Sequence, residues 1–429
     1  MSHPHPLSNC RTGHRDRPRG PVSTCHLLLP AVSLAAILTA ACDSAARSPG
    51  PATTVSGGVQ VVTSDPFSSD AICRADPEPM LTIGDESGND ENLWFSTIRG
   101  LGLLSDGSVA AIDRSSEEIR VFGPDGRHLV SMGRAGEGPG EFRSAWLLWV
   151  LPGDTLWVGD YRPWRYNVFT RDGQFVRAVQ MTPVYPNPSR AGGVLRNGIS
   201  VNTSTTYLAR SNFTVPDTLV VEAHDTNGQL VATVARVPNR VEGMTAKSEL
   251  ANLTLTPLFS ASATADAIGS TVAIGHGRDP EVRLFDAELR LRRIVRWSEP
   301  SRHVTSADVN TWRDSYVASR GGRDSGQWGP LHEATVDTDR PVADVFPAFS
   351  SFMLGTDGRL WVAPYRRPGQ EPRRWMAFEP DGTFSCHLER VPMGISEIGA
   401  DYVLGVQSDE LGVQTVAMYR LGRPEPGSP

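Results

Sequence analysis

The sequence predicts an all-β fold built from repeated four-strand units. Its 429 residues include 41 Gly and 33 Pro and are 39% hydrophobic, a composition typical of a turn-rich globular protein. Asp-Gly turns separate short β-prone runs: Asp106-Gly107 lies within Leu103–Asp113, and Asp125-Gly126 lies between the strands of Glu118–Phe122 and Arg127–Gly133. Glycine supplies the positive φ that a tight hairpin turn requires, so this pattern predicts antiparallel hairpins.

The units recur with a period that suits one blade of a β-propeller. Phe122 and Phe169 hold equivalent positions 47 residues apart. Turns between the first and second strand of a unit recur at Asp106-Gly107, Gly153-Asp154, Asn197-Gly198, Gly269-Ser270, Asp357-Gly358 and Ala400-Asp401. These six turns predict a six-bladed β-propeller with four-stranded blades over residues 59–421.

One interruption and one closure are expected in this ring. Thr305–Ser319 combines a capping threonine with helical apolar spacing, which predicts one short helical insertion within about residues 300–344, followed by a polar loop. We expect Val59–Thr63 to pair with the C-terminal strand near Val413–Arg420, because that pairing would remove an exposed sheet edge.

The N-terminal 41 residues have the features of an export signal. Four arginines precede a short apolar run, His26–Ala41, that ends in small residues. Leu38–Cys42 resembles a bacterial lipobox, which implies a lipid on Cys42 and a protein anchored in the bacterial cell envelope, at its periplasmic face or outer surface. Ordinary cleavage near the same point is the alternative. Residues 42–58 are predicted to be a flexible tether and residues 422–429 a disordered tail.

The net charge of the chain argues against one class of partner, and its cysteines allow one disulfide. Without residues 1–41 the chain has 37 basic and 47 acidic residues, a net charge of about −10, which argues against nucleic acid as a partner. We expect a monomer attached to the membrane by its lipid. Cys73 and Cys386 then remain, and in an oxidising compartment they either form a disulfide or stay as two separate buried thiols.

A glycine-rich decamer, GRAGEGPGEF at Gly133–Phe142, raises the question of phosphate binding. Phosphate-binding loops open a helix, whereas the residues after Phe142 predict a strand. Together with DTLWVGD and RYNVFTRDGQF, the decamer resembles the NHL-type repeats of bacterial six-bladed β-propeller lipoproteins. That resemblance implies that the decamer joins the outermost strand of one blade to the innermost strand of the next.

The same resemblance implies a loop-rich face, formed by these connectors and by the loops after each second strand. Arginine and aromatic residues recur in those loops and suit a sugar, a peptide, an aromatic group or a carboxylate. A structural role for the aromatic residues and solvated arginines are the alternative. The candidate ligand-binding residues are Arg114, Tyr161, Arg162, Trp164, Arg165, His276, Arg278, Tyr365 and Arg366.

The sequence favours a binding module, for a protein or a small extracellular ligand, over an enzyme. It predicts no cofactor, no catalytic residue and no metal site. Asp113 and Asp160 are the candidates for metal coordination, although such an aspartate more often bonds neighbouring backbone. The alternative function is a metal-dependent, lactonase-like hydrolase or lyase with its site at the mouth of the central channel.

Overall fold

The computed structural model describes residues 51–84, 90–162, 164–183, 188–206, 217–240, 244–247, 252–326 and 328–422. These residues form an all-β structure with two helices, and they belong to one compact unit, Ser48–Pro429. The predicted signal peptide, Cys42, the first residues of the predicted tether and the end of the tail lie outside the described residues.

Four strands and two short 3₁₀ turns precede the first repeated unit. The strands are β1 (Ala52–Ser56), β2 (Val59–Ser64), β3 (Ile72–Ala75) and β4 (Leu81–Ile83), and the 3₁₀ turns are Pro66–Ser68 and Glu91–Leu93.

The repeated units then follow along the chain. The first two comprise β5 (Ile98–Leu103), β6 (Val109–Asp113), β7 (Glu118–Phe122), β8 (His128–Met132), β9 (Ala145–Leu151), β10 (Thr155–Asp160), β11 (Arg165–Phe169) and β12 (Phe175–Gln180). Next come β13 (Pro188–Val194), β14 (Ser200–Thr206), β15 (Thr218–His224), β16 (Leu230–Pro238), the hairpin β17 (Met244–Lys247) and β18 (Asn252–Leu255), then β19 (Ala263–Ile268), β20 (Thr271–His276), β21 (Glu281–Phe285) and β22 (Leu291–Trp297).

Helices α1 (Ser306–Ser319) and α2 (Pro330–Val336) interrupt the strands at this point. The remaining strands are β23 (Phe349–Leu354), β24 (Leu360–Pro364), β25 (Trp375–Phe378), β26 (Phe384–Leu388), β27 (Gly394–Ile398), β28 (Tyr402–Ser408) and β29 (Gln414–Gly422).

Consecutive strands pair antiparallel in short runs. The runs β5–β8 and β9–β12 are separate four-stranded sheets. The runs β13–β16 and β19–β22 belong to one ten-stranded sheet, joined by the bridge Gly193↔Ala267. The runs β23–β26 and β27–β29 belong to a nine-stranded sheet, in which β3 lies between β26 and β29. Each of the six turns predicted between the first and second strand of a unit, here called the inner turns, lies between the first two strands of such a run.

Neighbouring runs pack through their apolar faces. The first and second runs share a buried cluster that includes Ile112, Ile119, Leu148 and Leu156. The runs β19–β22 and β23–β26 share another, which includes Val282, Trp297, Phe352 and Phe378. The second strands β6 and β24 are buried at every residue, as expected for strands covered on both faces.

The predicted closure of the ring is wrong in its partner strand. β2, which contains Val59–Thr63, pairs in parallel with β22 rather than with the C-terminal strand. The C-terminal strand β29 pairs instead with β4, whose Leu81 and Ile83 are buried in one cluster with Val416 and Met418. The N-terminal segment thus pairs with the outer strands of two runs, β22 through β2 and β26 through β3, and its third and fourth strands also pair with β29.

Two further features differ from the prediction, the start of regular structure and the content of the insertion. Regular structure begins at β1, inside the predicted tether, because Thr53, Thr54 and Val55 form a hairpin with β2 across Gly57-Gly58. The insertion contains a second helix, α2, where a polar loop was expected, and Pro330 occupies the first turn of that helix. The first helix has a capping box between Thr305 and Asp308.

Candidate functional site

In each antiparallel run, the loop after the second strand and the connector after the fourth strand emerge at the same end. We call this end of a run its connector end. The glycine-rich decamer lies there, between β8 and β9. The insertion with α1 and α2 lies there too, in the connector from β22 to β23. Every candidate ligand-binding residue of the sequence analysis falls in or beside a second-strand loop.

The glycine-rich decamer is folded around two side chains. The Glu141 carboxylate accepts hydrogen bonds from the backbone N–H of Gly138 at 2.8 Å and from Arg134 Nε at 2.8 Å. These bonds lower the pKa of Glu141, with the Gly138 bond contributing most. Arg165 donates to the carbonyls of Glu137 and Glu141 at 3.1 and 2.7 Å. The guanidinium of Arg165 therefore holds the connector in place.

Asp113 and Asp160, the candidate metal ligands, both bond neighbouring groups. Asp113 accepts from Ser96 Oγ at 3.0 Å and from Arg120 at 3.0 Å. Asp160 is buried and accepts from the backbone N–H of Ser144 at 2.9 Å. Burial raises the pKa of Asp160, against the opposing effect of its hydrogen bonds and of Arg165. In the described part of the chain no three His, Cys, Asp or Glu side chains gather as a metal site.

A cavity of about 510 Å³ opens at the connector end of the run β19–β22. We call it the insertion cavity. Its walls come from the end of β16, from the loop after β20, and from two connector segments, residues 257–261 and 341–347. Those segments are tied together, because Leu258 N–H donates to the Pro341 carbonyl at 2.8 Å and Ala343 N–H donates to the Leu258 carbonyl at 2.9 Å.

The insertion cavity brings together two of the candidate residues, His276 and Arg278. The backbone N–H of Arg278 donates to His276 Nδ1 at 3.2 Å, and His276 Nε2 lies 3.3 Å from the Asn239 carbonyl. Because Nδ1 accepts a hydrogen bond, Nε2 carries the proton and donates to that carbonyl. The imidazole thus fixes the loop after β20 against the connector after β16.

The cavity combines apolar walls with charged groups. Its apolar lining includes Pro257, Pro341, Val342, Val345 and Pro347. Glu281 is already paired, with Arg283 at 3.3 Å and Arg296 at 2.7 Å. The exposed guanidinium of Arg278 has no ion-pair partner among the described residues. A ligand in this cavity would therefore meet an arginine whose charge is not yet paired.

A second group of candidate residues lies at the connector end of the run β9–β12. Tyr161 packs edge-on against Trp164, with ring centroids 5.6 Å apart, and lies 6.1 Å from the ring of Trp146. Trp164 is buried and adopts a positive φ of 49°. Trp146 is half-buried and did not stand out in the sequence, because an apolar strand residue is expected to belong to the core.

Of the remaining candidates, Tyr365 and Arg366 join neither group, whereas Arg114 and Arg162 lie near the second. Tyr365 stacks on Phe346, with centroids 5.9 Å apart, and burial raises its pKa. Arg366 is exposed. Arg114 and Arg162 both lie within electrostatic range of Glu117. Burial raises the pKa of Glu117 overall, although its bond to Ala145 and these two arginines act in the opposite direction. The predicted set therefore divides between two neighbourhoods and a few isolated positions.

A disulfide joins the N-terminal segment to one of the runs. Cys73 on β3 and Cys386 on β26 form a disulfide, with their Cα atoms 5.6 Å apart. Both residues are fully buried. In the described ranges no helix is long and apolar enough to cross a membrane.

Comparison with known proteins assigns no function to this chain. No protein-family model matches it, and no curated protein matches it. A similar solved structure is an exported protein from Bacteroides fragilis, with 11% identity over 85% of this chain and 100% of that chain and a TM-score of 0.49. Others are regucalcin, a calcium-binding protein from Agrobacterium tumefaciens (9% identity, 83% and 99% coverage, TM-score 0.38), and a gluconolactonase from Xanthomonas campestris (10% identity, 81% and 99% coverage, TM-score 0.38).

Proposed function

We propose that the protein is an exported, lipid-anchored, six-bladed β-propeller that binds a small extracellular ligand in the insertion cavity. It would be a member of the NHL-like propeller lipoproteins that its decamer resembles. The runs β5–β8, β9–β12, β13–β16, β19–β22 and β23–β26 would be five blades. The sixth would be β27–β29 completed by β4, a closure by an N-terminal strand that joins the two ends of the chain.

The export proposal has support from the cysteines. Disulfides persist in oxidising compartments and are rare in the bacterial cytoplasm. The Cys73–Cys386 bond joins the N-terminal segment to β26, and it spans 313 residues of sequence. A leader that carries the chain out of the cytoplasm would give this bond a compartment in which it can form. The lipid on Cys42 would then hold the propeller at the membrane.

The insertion cavity is the observation that carries the binding proposal. Its volume of about 510 Å³ lies within the roughly 300–1,000 Å³ of small-molecule sites. Such sites combine mainly apolar walls with a few fixed polar groups. Here the proline and valine wall is apolar, the hydrogen bonds of His276 fix the loop after β20, and Arg278 offers an unpaired positive charge.

A binding role accounts for the acidic residues better than a metal-dependent hydrolase or lyase does. The two aspartates that the sequence offered as metal ligands are occupied, Asp113 by Arg120 and Asp160 by backbone N–H groups and Arg165. Freeing Asp113 for a metal would break hydrogen bonds that fix the loop after β6, and freeing Asp160 would break those that fix the connector from β8 to β9.

The binding proposal is tested by screening a fluorinated fragment library against the purified protein by NMR. We expect hits whose signals are lost in Arg278→Ala and in Val342→Trp, which fills the cavity from its rim. Leu411→Trp is the matched control, because Leu411 is 89% exposed and is not part of the cavity lining. Hits that all survive both cavity variants, or no hits at all, would contradict the proposal.

A further inference from the structure

Arg99 is a half-buried arginine whose side chain makes no ion pair with any residue that the structure describes. It is the second residue of β5, and its guanidinium carbon lies 4.5 Å from the centroid of the Trp146 ring. Its Nε is buried and has no hydrogen-bond partner, and the side chain makes no ion pair within the described ranges. Buried polar groups are nearly always hydrogen-bonded, so this arginine needs an explanation.

Two arginines that are buried more deeply than Arg99 hold carboxylates. Arg120 donates to Asp113 at 3.0 Å and to the Trp94 carbonyl at 2.6 Å. Arg359 donates to Glu379 at 3.0 Å. These arginines follow the rule that a charge taken out of water is paired inside the protein. Arg99 is only half-buried and makes no such ion pair within the described ranges, so its charge is available to a carboxylate from outside the chain.

The acidic residues of the adjoining loops are committed to other groups. Asp113, which pairs with Ile98 across β5 and β6, holds Arg120. The Glu117 carboxylate accepts from the backbone N–H of Ala145 at 2.6 Å. Asp160 holds the backbone of the decamer connector. None of these three carboxylates is hydrogen-bonded to Arg99.

The surroundings of Trp146 carry an excess of positive charge. Ala145, the residue before Trp146, receives the Glu117 carboxylate, and Arg114 and Arg162 act on that same carboxylate. Arg99 over the Trp146 ring adds a third guanidinium to this neighbourhood, in which Asp160 is a further acidic group within range of Glu117. Such a neighbourhood attracts anions.

An aromatic wall continues from the stacked guanidinium. Arg99 and Trp146 occupy equivalent positions, each the second residue of the first strand of its run, at the connector end. Beyond Trp146 lie Tyr161 and then Trp164. A guanidinium over an aromatic ring can still form two parallel hydrogen bonds to a carboxylate through its N–H groups.

We propose that Arg99 binds the carboxylate of a small organic acid whose apolar or aromatic part packs along Trp146 and Tyr161. This carboxylate site shares no residue with the lining of the insertion cavity. It therefore does not depend on whether that cavity binds a ligand. The arginines Arg114 and Arg162 would raise the local concentration of the anion without contacting it.

Benzoate tests the site, because it joins a carboxylate to a flat apolar ring. Its dissociation constant is measured by saturation-transfer NMR with the purified protein, beside benzamide, acetate and inorganic phosphate. For a ligand of this size we expect a dissociation constant on the order of 1 mM. Benzamide and acetate should bind at least about tenfold more weakly, because each lacks one of the two recognised groups.

Variants then locate the bound benzoate. Arg99→Gln keeps much of the apolar stem but removes the charge, and it should weaken benzoate at least about tenfold. Arg99→Lys should restore only part of the affinity, because an ammonium cannot form the paired bonds. Arg320→Ala is the matched control, since it removes an arginine that lies over another aromatic ring, Tyr316, at 5.5 Å.

Three outcomes would overturn the proposal. The first is benzoate affinity that is equal in the wild type and in Arg99→Gln while the melting temperatures of the two also agree. The second is displacement of benzoate by inorganic phosphate at equal concentration, which would indicate a general anion site. The third is an Arg320→Ala variant that loses as much affinity as Arg99→Gln.

Discussion

The carboxylate of Asp266 on β19 accepts a hydrogen bond from the backbone N–H of Leu354 on β23, with 2.6 Å between Oδ2 and N. This bond joins the first strands of two consecutive runs. Glu397 on β27 bonds the backbone N–H of Leu103 on β5 in the same way. Burial raises the pKa of Asp266 to about 6 and that of Glu397 to about 7. Both carboxylates therefore link neighbouring runs, and because their pKa values are raised, their contribution to the free energy of unfolding depends on pH.

The sign of the effect follows from the shift at Asp266. Between its ordinary pKa of 3.8 and about 6, the folded protein keeps a proton that the unfolded chain has released. Stability from this group is therefore fully present below pH 3.8 and is lost as the pH rises through about 6. The change is of order 1–3 kcal/mol, because one pKa unit corresponds to about 1.4 kcal/mol.

Asp266→Asn isolates this contribution, since the amide does not titrate. The free energy of unfolding of each protein is measured by urea denaturation from pH 4 to 7. We expect the wild type to lose stability relative to the variant over this range. The lowered pKa of the buried His224 changes stability in the opposite direction, but equally in both proteins. A wild-type free energy of unfolding that stays constant or rises relative to that of the variant between pH 4 and 7 would refute the assignment.

The disulfide gives a second prediction. Cys73→Ala/Cys386→Ala should lower the free energy of unfolding by about 2–4 kcal/mol, because the bond restricts an unfolded chain across 313 residues. Reductant should lower the denaturation midpoint of the wild type and leave that of the double variant unchanged. If reductant shifts both proteins equally, or neither, the bond does not stabilise the fold.

A glycine at the junction of two runs gives a third. A Cβ on Gly193 would lie 1.8 Å from the Ala267 carbonyl oxygen, where β13 meets β19. Gly193→Ala should cost about 2–5 kcal/mol, since a strained φ of +148° adds to the clash. Gly153→Ala is the control: φ is +80° there but nothing lies within 4 Å, so only about 1–2 kcal/mol is expected. Equal losses in thermal denaturation would contradict this close contact.

The capping box of α1 gives a fourth prediction. Thr305 Oγ1 accepts from the backbone N–H of Asp308, and Asp308 bonds back to the Thr305 N–H. Thr305→Ala should cost about 1 kcal/mol and speed hydrogen exchange in the first turn of the helix, including the amide of Val309, whereas Thr305→Ser should retain the protection. Exchange that is unchanged in the alanine variant would mean that the cap does not hold this helix.

Local patterns predicted much of the strand order. The inner turns at Asp106-Gly107 and Asp357-Gly358 were identifiable because only a few residues allow their backbone geometry, and each lies between consecutive strands. The start of α1 at Thr305 followed from the same kind of short-range chemistry. The partner of β29 could not be predicted from short-range chemistry, because β2 and β4 are both short apolar segments and only long-range packing selects between them.

The site was less predictable than the fold. His276 and Arg278 were named from their loop, but residues 341–347, which form another wall of the cavity, are more than 60 positions away in the sequence. Trp146 and Arg99 sit in strands, where an aromatic residue usually belongs to the core and a lone arginine usually faces solvent. Only the packing of neighbouring runs brings their side chains to 4.5 Å.

The central claim is that the connector end holds a ligand site in the insertion cavity. The most direct test is a crystal structure of the protein soaked with the fragments found by NMR. We expect electron density for a fragment between Arg278 and the wall of Pro341–Val345, with the His276 bonds to Arg278 and Asn239 intact. A cavity that is collapsed, or that stays empty while fragments bind elsewhere, would contradict the account.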